Sequence, residues 1–153
     1  MKKKLRGFLS SFRWAGHGVL FCIRNERNFR IHLIAAFYVV LLASLLELDG
    51  MHIAVLSLTI GNVLVMELLN TAVEALVDLV SPNKHPLAKV AKDAAAGAVL
   101  ISAIVSVAVG VSLLWQPEKL RILFSILLAS PILLILLAAS AVFSLWFIFG
   151  LEK

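Results

Sequence analysis

The stretch from residue 50 to residue 80, GMHIAVLSLTIGNVLVMELLNTAVEALVDLV, decides the fold. Residues 50–66 contain no Asp, Glu, Lys or Arg, and after Met66 no glycine or proline interrupts the chain before the Ser-Pro-Asn sequence at 81–83. A bilayer core of about 30 Å needs about 20 residues of helix, and this stretch exceeds that length. We therefore predict a membrane helix that contains its own charged residues and ends at 81–83.

Three further uncharged stretches predict three more membrane helices, at residues 31–46, 94–117 and 122–151. The first is short and can borrow a turn from residues 28–30, and Pro131 should either kink the last helix or mark its start. In the whole chain of 153 residues, 61% are hydrophobic and 15% charged, which excludes a cytosolic globular domain and a disordered chain. The predicted fold class is an all-α integral membrane protein with three core transmembrane helices and a fourth, C-terminal one.

The N-terminal region predicts an amphipathic helix on the membrane surface. Apolar residues recur there at steps of three and four, and eight of the fourteen basic residues precede Ile31. Lys2, Lys3, Lys4, Arg6 and Arg13 are available to anionic headgroups, although a solvated basic tail is the alternative. Glycines in this region favour a break near position 16. The basic residues also predict a cytoplasmic N-terminus in a multi-pass protein of the bacterial inner membrane.

Several function classes are excluded or disfavoured by what the sequence contains. Charges before the first long apolar run argue against a cleaved signal peptide. The single cysteine, Cys22, permits no intrachain disulfide. The motifs of soluble kinases, dinucleotide-binding proteins and zinc hydrolases are absent, and the positive charge indicates a membrane partner rather than nucleic acid. Because so short a chain forms only one compact membrane unit, we expect a homo-oligomer.

A polar stripe lies in the charged half of the 50–80 helix. Ionisable groups within membrane segments are functional candidates because each costs roughly 2.5 to 3.5 kcal/mol to insert. At 3.6 residues per turn, the polar residues of this segment fall within about 100° of one helix face. The stripe consists of Glu67, Asn70, Thr71, Glu74 and Asp78. It offers hard oxygen ligands for Mg²⁺ and a nearby base; the alternative is that Glu74 and Asp78 are surface groups.

A cation site needs a second element to complete it. Glu26 is expected at the same membrane level as Glu74 and Asp78, although an ion pair with a neighbouring arginine is the alternative. Lys92 is expected where it can meet anionic oxygen at the cytoplasmic boundary, the alternative being a lysine that only extends toward water.

Two longer patterns resemble the prokaryotic diacylglycerol kinase family of small membrane lipid kinases. They are E-x-x-N-T-A-x-E-x-x-x-D from Glu67 to Asp78 and A-K-D-x-x-x-x-A-V from Ala91 to Val99. The residues Glu26-Arg27-Asn28-Phe29 and His32 match the family's N-terminal box. The H-P-L-A-K sequence at 85–89 is similar to the Gram-positive branch, whose members phosphorylate undecaprenol.

The resemblance implies a homotrimer of three-span subunits with a surface helix, using ATP with Mg²⁺ to phosphorylate a lipid hydroxyl at the membrane. By position it assigns Glu67 as general base, Glu26 and Glu74 as metal and nucleotide ligands, Lys92 and Asp93 to the nucleotide site, and Asn70, Asp78 and His85 to supporting roles. The apolar segment after Trp115 is not required by that pattern, and it offers no evident chemistry of its own.

We accordingly divide the chain into a surface helix with the N-terminal motif (1–30), a three-span kinase core (31–117) and an additional transmembrane segment (118–153). The leading function is phosphorylation of undecaprenol to undecaprenyl phosphate. The alternatives are a diacylglycerol kinase making phosphatidic acid, a small transporter that uses Glu67 as a coupling site, and a structural membrane protein. The last of these leaves the intramembrane charges unexplained.

Overall fold

The protein is a bundle of helices. A computed structural model describes residues 2–83 and 85–151, in which no strand is present. The helices are α1 (Lys2–Asn25), α2 (Arg27–Leu45), α3 (Gly50–Val80), α4 (Pro86–Leu114), α5 (Pro117–Ala129) and α6 (Pro131–Phe149). Four of them, α2, α3, α4 and α6, are long and apolar enough to cross a membrane. The predicted all-α membrane class is confirmed.

Helix α1 is continuous, so the expected break near position 16 is wrong. A glycine costs a helix only about 1 kcal/mol relative to alanine. The contacts that α1 makes with α2 and α3 offset this cost, so the helix stays continuous. Large apolar side chains such as Phe12 and Trp14 are exposed on α1, as the surface-helix prediction requires. The predicted headgroup contacts of Lys2, Lys3, Lys4 and Arg6 concern side chains outside the described part of the protein.

The core is a long hairpin of α3 and α4 with α2 packed against it. Asp49 begins α3 by accepting hydrogen bonds from the backbone N–H groups of Met51 and His52, at 2.9 and 3.1 Å. Just before it, Glu47 has a φ of 54°, a left-handed conformation that lets the chain reverse after α2. This up-and-down arrangement brings the start of α2, the end of α3 and the start of α4 to one end of the bundle.

The predicted last span divides into two helices. Residues 122–151 do not form one helix, because α5 ends at Ala129 and α6 begins at Pro131. Proline at the first position of a helix lacks only an N–H that has no intrahelical partner there. The proline thus marks the start of the fourth span, one of the two predicted outcomes. Helix α5, at 13 residues, is about 20 Å long and too short to cross the bilayer.

Polar contacts at three levels fix this C-terminal pair of helices to α2. Near the start of α2, Arg30 Nε donates to the carbonyl of Ile148 at 2.9 Å. In the middle, the Tyr38 hydroxyl bonds to the hydroxyls of Ser140 and Ser144, at 3.0 and 3.1 Å. At the far end, Lys119 Nζ of α5 donates to the carbonyl of Leu46 at 2.7 Å. Helix α6 therefore runs antiparallel to α2, and its C-terminus reaches the end of the bundle that carries the polar stripe.

The two leucines at the end of α2 give a matched test of this packing. Leu46 is fully buried, whereas the neighbouring Leu45 is 54% exposed. We expect Leu46→Ala to lower the free energy of unfolding by about 2–5 kcal/mol because it leaves a cavity. Leu45→Ala should cost less than about 1 kcal/mol. Unfolding by a denaturing detergent in mixed micelles measures both, and equal losses would contradict the packing described.

Candidate active site

The polar stripe of α3 surrounds one deeply buried carboxylate. Glu67 is only 3% exposed, although it lies on a membrane-spanning helix. One turn later, the Thr71 hydroxyl donates to the Glu67 carbonyl at 3.1 Å, and Asn70 Nδ2 donates to Glu74 Oε1 at 2.9 Å. These contacts fix the side chains of Asn70 and Thr71 and leave the Glu67 carboxylate facing the neighbouring helices.

The site contains more acceptor oxygens than donors. Oε1 of Glu67 and Oδ1 of Asn70 are buried without a hydrogen-bond partner among the described residues. Nε2 of His32 lies 3.2 Å from Oε1 of Glu67, within the range of an ion pair but without the alignment of a hydrogen bond. An unmatched buried carboxylate oxygen costs several kcal/mol. The arrangement is therefore suited to a ligand that brings a cation or a proton.

Glu26 brings a second carboxylate to the site from another helix. It forms the one-residue corner between α1 and α2 and is half-buried. Burial raises the pKa of Glu26, and the negative charges of Glu74 and Glu67 raise it further, whereas the Arg30 guanidinium opposes them. The three glutamates thus lie close enough to repel one another, as the sequence analysis expected for Glu26 and Glu74.

These residues fit Mg²⁺ that arrives with a nucleotide. Among residues 2–83 and 85–151, no group of three or more His, Cys, Asp or Glu side chains is arranged to hold a metal by itself. Mg²⁺ is usually bound by only one or two carboxylates together with substrate phosphates. Glu26 and Glu74 would provide the carboxylates, close to the buried oxygens of Glu67 and Asn70 that have no hydrogen-bond partner in the described part of the chain.

A second polar cluster lies where α3 turns into α4. Lys92 Nζ donates to Asp78 Oδ1 at 2.6 Å across the two helices, and the His85 ring accepts the Leu87 N–H at 3.2 Å and so begins α4. Asp78, His85, Lys92 and Asp93 all line a cleft of about 670 Å³. The structure brings these four predicted residues together, one turn beyond Glu74. It also shows that Lys92 already has an anionic partner in the protein.

The position of His32 at this site was not predicted from the sequence. His32 belongs to the N-terminal box but had no predicted role, and the structure places its ring beside Glu67. An ionisable side chain within an apolar span was the signal that could have identified it.

An apolar cavity begins at His32 and continues into the membrane part of the bundle. It has a volume of about 410 Å³ and lies between α2, α3 and α4, with Leu56 and Val63 in its wall and Trp115 and Leu120 at its far end. A hydrocarbon chain in this cavity would extend from the buried glutamate toward the opposite side of the membrane.

Comparison with known proteins agrees with this geometry. The family model "Prokaryotic diacylglycerol kinase" matches residues 13–114, which include every candidate site residue. A diacylglycerol kinase of Synechocystis sp. is 52% identical over 110 residues, covering 71% of this chain and 63% of that protein's length. An undecaprenol kinase of Bacillus subtilis is 44% identical, covering 76% and 94%, and a diacylglycerol kinase of Escherichia coli K12 is 34% identical, covering 76% and 98%.

Helices α5 and α6 and residues 2–12 of α1 lie outside the matched residues, whereas the rest of α1, the polar stripe and the α3–α4 cleft lie within them. The match and the geometry of the site together show that the chain belongs to the prokaryotic diacylglycerol kinase family of membrane lipid kinases.

Proposed function

We propose that the protein transfers the γ-phosphoryl group of ATP to the hydroxyl of undecaprenol, giving undecaprenyl phosphate and ADP. The observation that carries this proposal is the buried Glu67 carboxylate, whose Oε1 lies 3.2 Å from Nε2 of His32, a residue that lines the apolar cavity. A lipid alcohol combines a hydrocarbon chain for the cavity with a hydroxyl proton for the carboxylate.

In the proposed reaction, Glu67 accepts the hydroxyl proton as the lipid oxygen bonds to the γ-phosphorus. The bond from that phosphorus to the β–γ bridging oxygen breaks, and ADP leaves with the electron pair. Mg²⁺, when bound with ATP, supplies positive charge to the β- and γ-phosphates. Glu26 and Glu74 hold that assembly at the end of the bundle, and Asn70 orients Glu74 through its 2.9 Å hydrogen bond.

Lys92 and Asp93 contribute to the nucleotide site from the α3–α4 cleft. Because Lys92 pairs with Asp78 across the helices, binding of a phosphate requires the lysine to share or exchange this partner. Asp78 thus positions Lys92 before nucleotide binds, and His85 holds the start of α4 in place.

Two features support undecaprenol as the substrate: the H-P-L-A-K sequence at 85–89, and the likeness to the Bacillus undecaprenol kinase along 94% of its length. Diacylglycerol is the second candidate, favoured by the likeness to the Synechocystis and Escherichia kinases. We further propose a homotrimer in the bacterial inner membrane, which the family resemblance implies. The basic residues of α1 support a cytoplasmic N-terminus.

A phosphotransfer assay tests the proposed function directly. The purified protein in mixed micelles receives labelled ATP and either undecaprenol or diacylglycerol, and labelled lipid is measured after extraction. We expect faster transfer to undecaprenol. Faster transfer to diacylglycerol would make diacylglycerol the assigned substrate in place of undecaprenol. No transfer to either lipid would refute the kinase proposal.

Glu67→Gln tests the assignment of the base. It removes the proton acceptor while preserving side-chain shape, so we expect the turnover rate to fall by about 10²–10⁴-fold or more. Equilibrium binding of MgATP should remain close to that of the unaltered protein. Equal losses of binding and rate would contradict this separation of roles.

Glu74→Ala and Glu26→Ala test the metal ligands. Each deletes a hard oxygen near the phosphates, so we expect the apparent affinity for MgATP to fall by about tenfold, the effect of roughly 1.4 kcal/mol. Excess Mg²⁺ should partly restore binding. If either variant binds MgATP normally, its metal assignment is wrong.

Because the glutamates repel one another, we expect the difference in stability between Glu26→Gln and the unaltered protein to depend on pH. The pKa of Glu26 is higher in the folded state than in the unfolded state. The protonated Glu26 carboxyl therefore contributes to stability at low pH, and this contribution is lost as the pH rises through the folded-state pKa. Without Mg²⁺ or nucleotide, Glu26→Gln should therefore raise the thermal unfolding temperature at neutral pH. The gain should vanish below about pH 3, where the carboxyl is protonated in both states. A neutral-pH loss of stability would show that Glu26 is instead favourably paired.

A further inference from the structure

Arg30 connects three helices at the end of the bundle that carries the candidate site. Its side chain is 1% exposed. One guanidinium nitrogen, Nη1, donates to the carbonyls of Ile23 and Arg24 in the last turn of α1, at 3.3 and 3.2 Å. Nε donates to the carbonyl of Ile148 in the last turn of α6, at 2.9 Å. A cation among helix C-terminal carbonyls is a favourable interaction, and it is strengthened by burial.

The contacts of Arg30 enclose the corner that carries Glu26. The backbone N–H of Glu26 donates to the carbonyl of Cys22 at 2.8 Å, and its own carbonyl accepts from Arg30 N at 3.3 Å. The Arg30 side chain then returns to the carbonyls of Ile23 and Arg24, the two residues that precede Asn25 and the corner. The angle between α1 and α2 at Glu26 therefore depends on where the guanidinium lies.

The position of the guanidinium depends in turn on α6. Helix α6 lies outside the residues shared with the family model, yet it is fixed along α2 by the Tyr38 hydroxyl contacts and by Arg30. It thus lies beyond the segment that the family model matches, and it reaches the candidate site through a single buried side chain.

We propose that the end of α6 is a positioning element for the nucleotide site, and that Arg30 transmits its position to Glu26. The Ile148 carbonyl fixes one edge of the guanidinium, the α1 carbonyls fix the other, and Glu26 is thereby held opposite Glu74. This inference rests on the proposed function, since it takes Glu26 to be a ligand of MgATP.

Phe149→Pro in the full-length chain displaces this contact selectively. Proline disfavours helical conformation in the residue before it, so the Ile148 carbonyl turns away from Arg30. Phe149 is the last residue of α6 and is 51% exposed, so proline removes one N–H donor from the last turn and leaves the earlier turns intact. Phe149→Ala removes the same ring without changing the backbone and is the matched control.

We expect Phe149→Pro to raise KM for MgATP at least about fivefold while KM for the lipid stays within about twofold, with Phe149→Ala close to the unaltered protein. Arg30→Lys should raise KM for MgATP as well, because an ammonium cannot span three carbonyls. Adding Phe149→Pro to Arg30→Lys should change KM for MgATP little further, since both substitutions remove the same contact between Arg30 and the Ile148 carbonyl. An unchanged KM for MgATP in Phe149→Pro, or full additivity with Arg30→Lys, would overturn the proposal.

Hydrogen–deuterium exchange separates this proposal from the proposed function. The Glu26 amide should exchange faster in Phe149→Pro than in Phe149→Ala, whether or not the protein phosphorylates a lipid. Unchanged exchange at the corner would overturn the coupling, whereas absence of phosphotransfer in the unaltered protein would refute the kinase proposal alone.

Discussion

The structure depends on one constraint: a carboxylate, that of Glu67, is buried in an otherwise apolar bundle without enough donors around it. Its Oε1 and the nearby Asn70 Oδ1 have no hydrogen-bond partner in the described part of the chain. His32 approaches without completing a hydrogen bond. Natural proteins tolerate such costly groups where function requires them. The cost at this site is consistent with a role in which Glu67 receives a proton.

The arrangement of the helices follows from the need to surround this group. The α3–α4 hairpin and the start of α2 bring Glu26, Glu74 and the α3–α4 cleft to one end of the bundle, and the apolar cavity lies below them. In the proposed reaction, phosphate transfer and hydrocarbon binding would meet at Glu67. Helices α5 and α6 add packing along α2, and through Arg30 their end contacts the same corner as the site.

The membrane helices and most of the site were predictable from the sequence, because both depend on local periodicity. Uncharged length predicts a span, and spacing by three and four places Glu67, Asn70 and Glu74 on one face. Contacts between distant segments were not predictable in this way. No local pattern indicates that Arg30 meets Ile148, which is 118 residues away, or that Lys92 pairs with Asp78. The division at Pro131 was foreseen only as one of two outcomes, since proline can kink a helix or begin one.

The most direct test of the central claim is electron paramagnetic resonance of Mn²⁺, in place of Mg²⁺, with a non-hydrolysable ATP analogue bound to the purified protein. If Glu26 and Glu74 hold the metal–nucleotide complex beside Glu67, the bound Mn²⁺ spectrum should differ from that of the free Mn²⁺–nucleotide complex. Replacing Glu74 by glutamine should abolish that difference, whereas replacing the distant, exposed Glu47 should leave it intact. A spectrum identical to that of the free complex, or one insensitive to Glu74, would contradict the account.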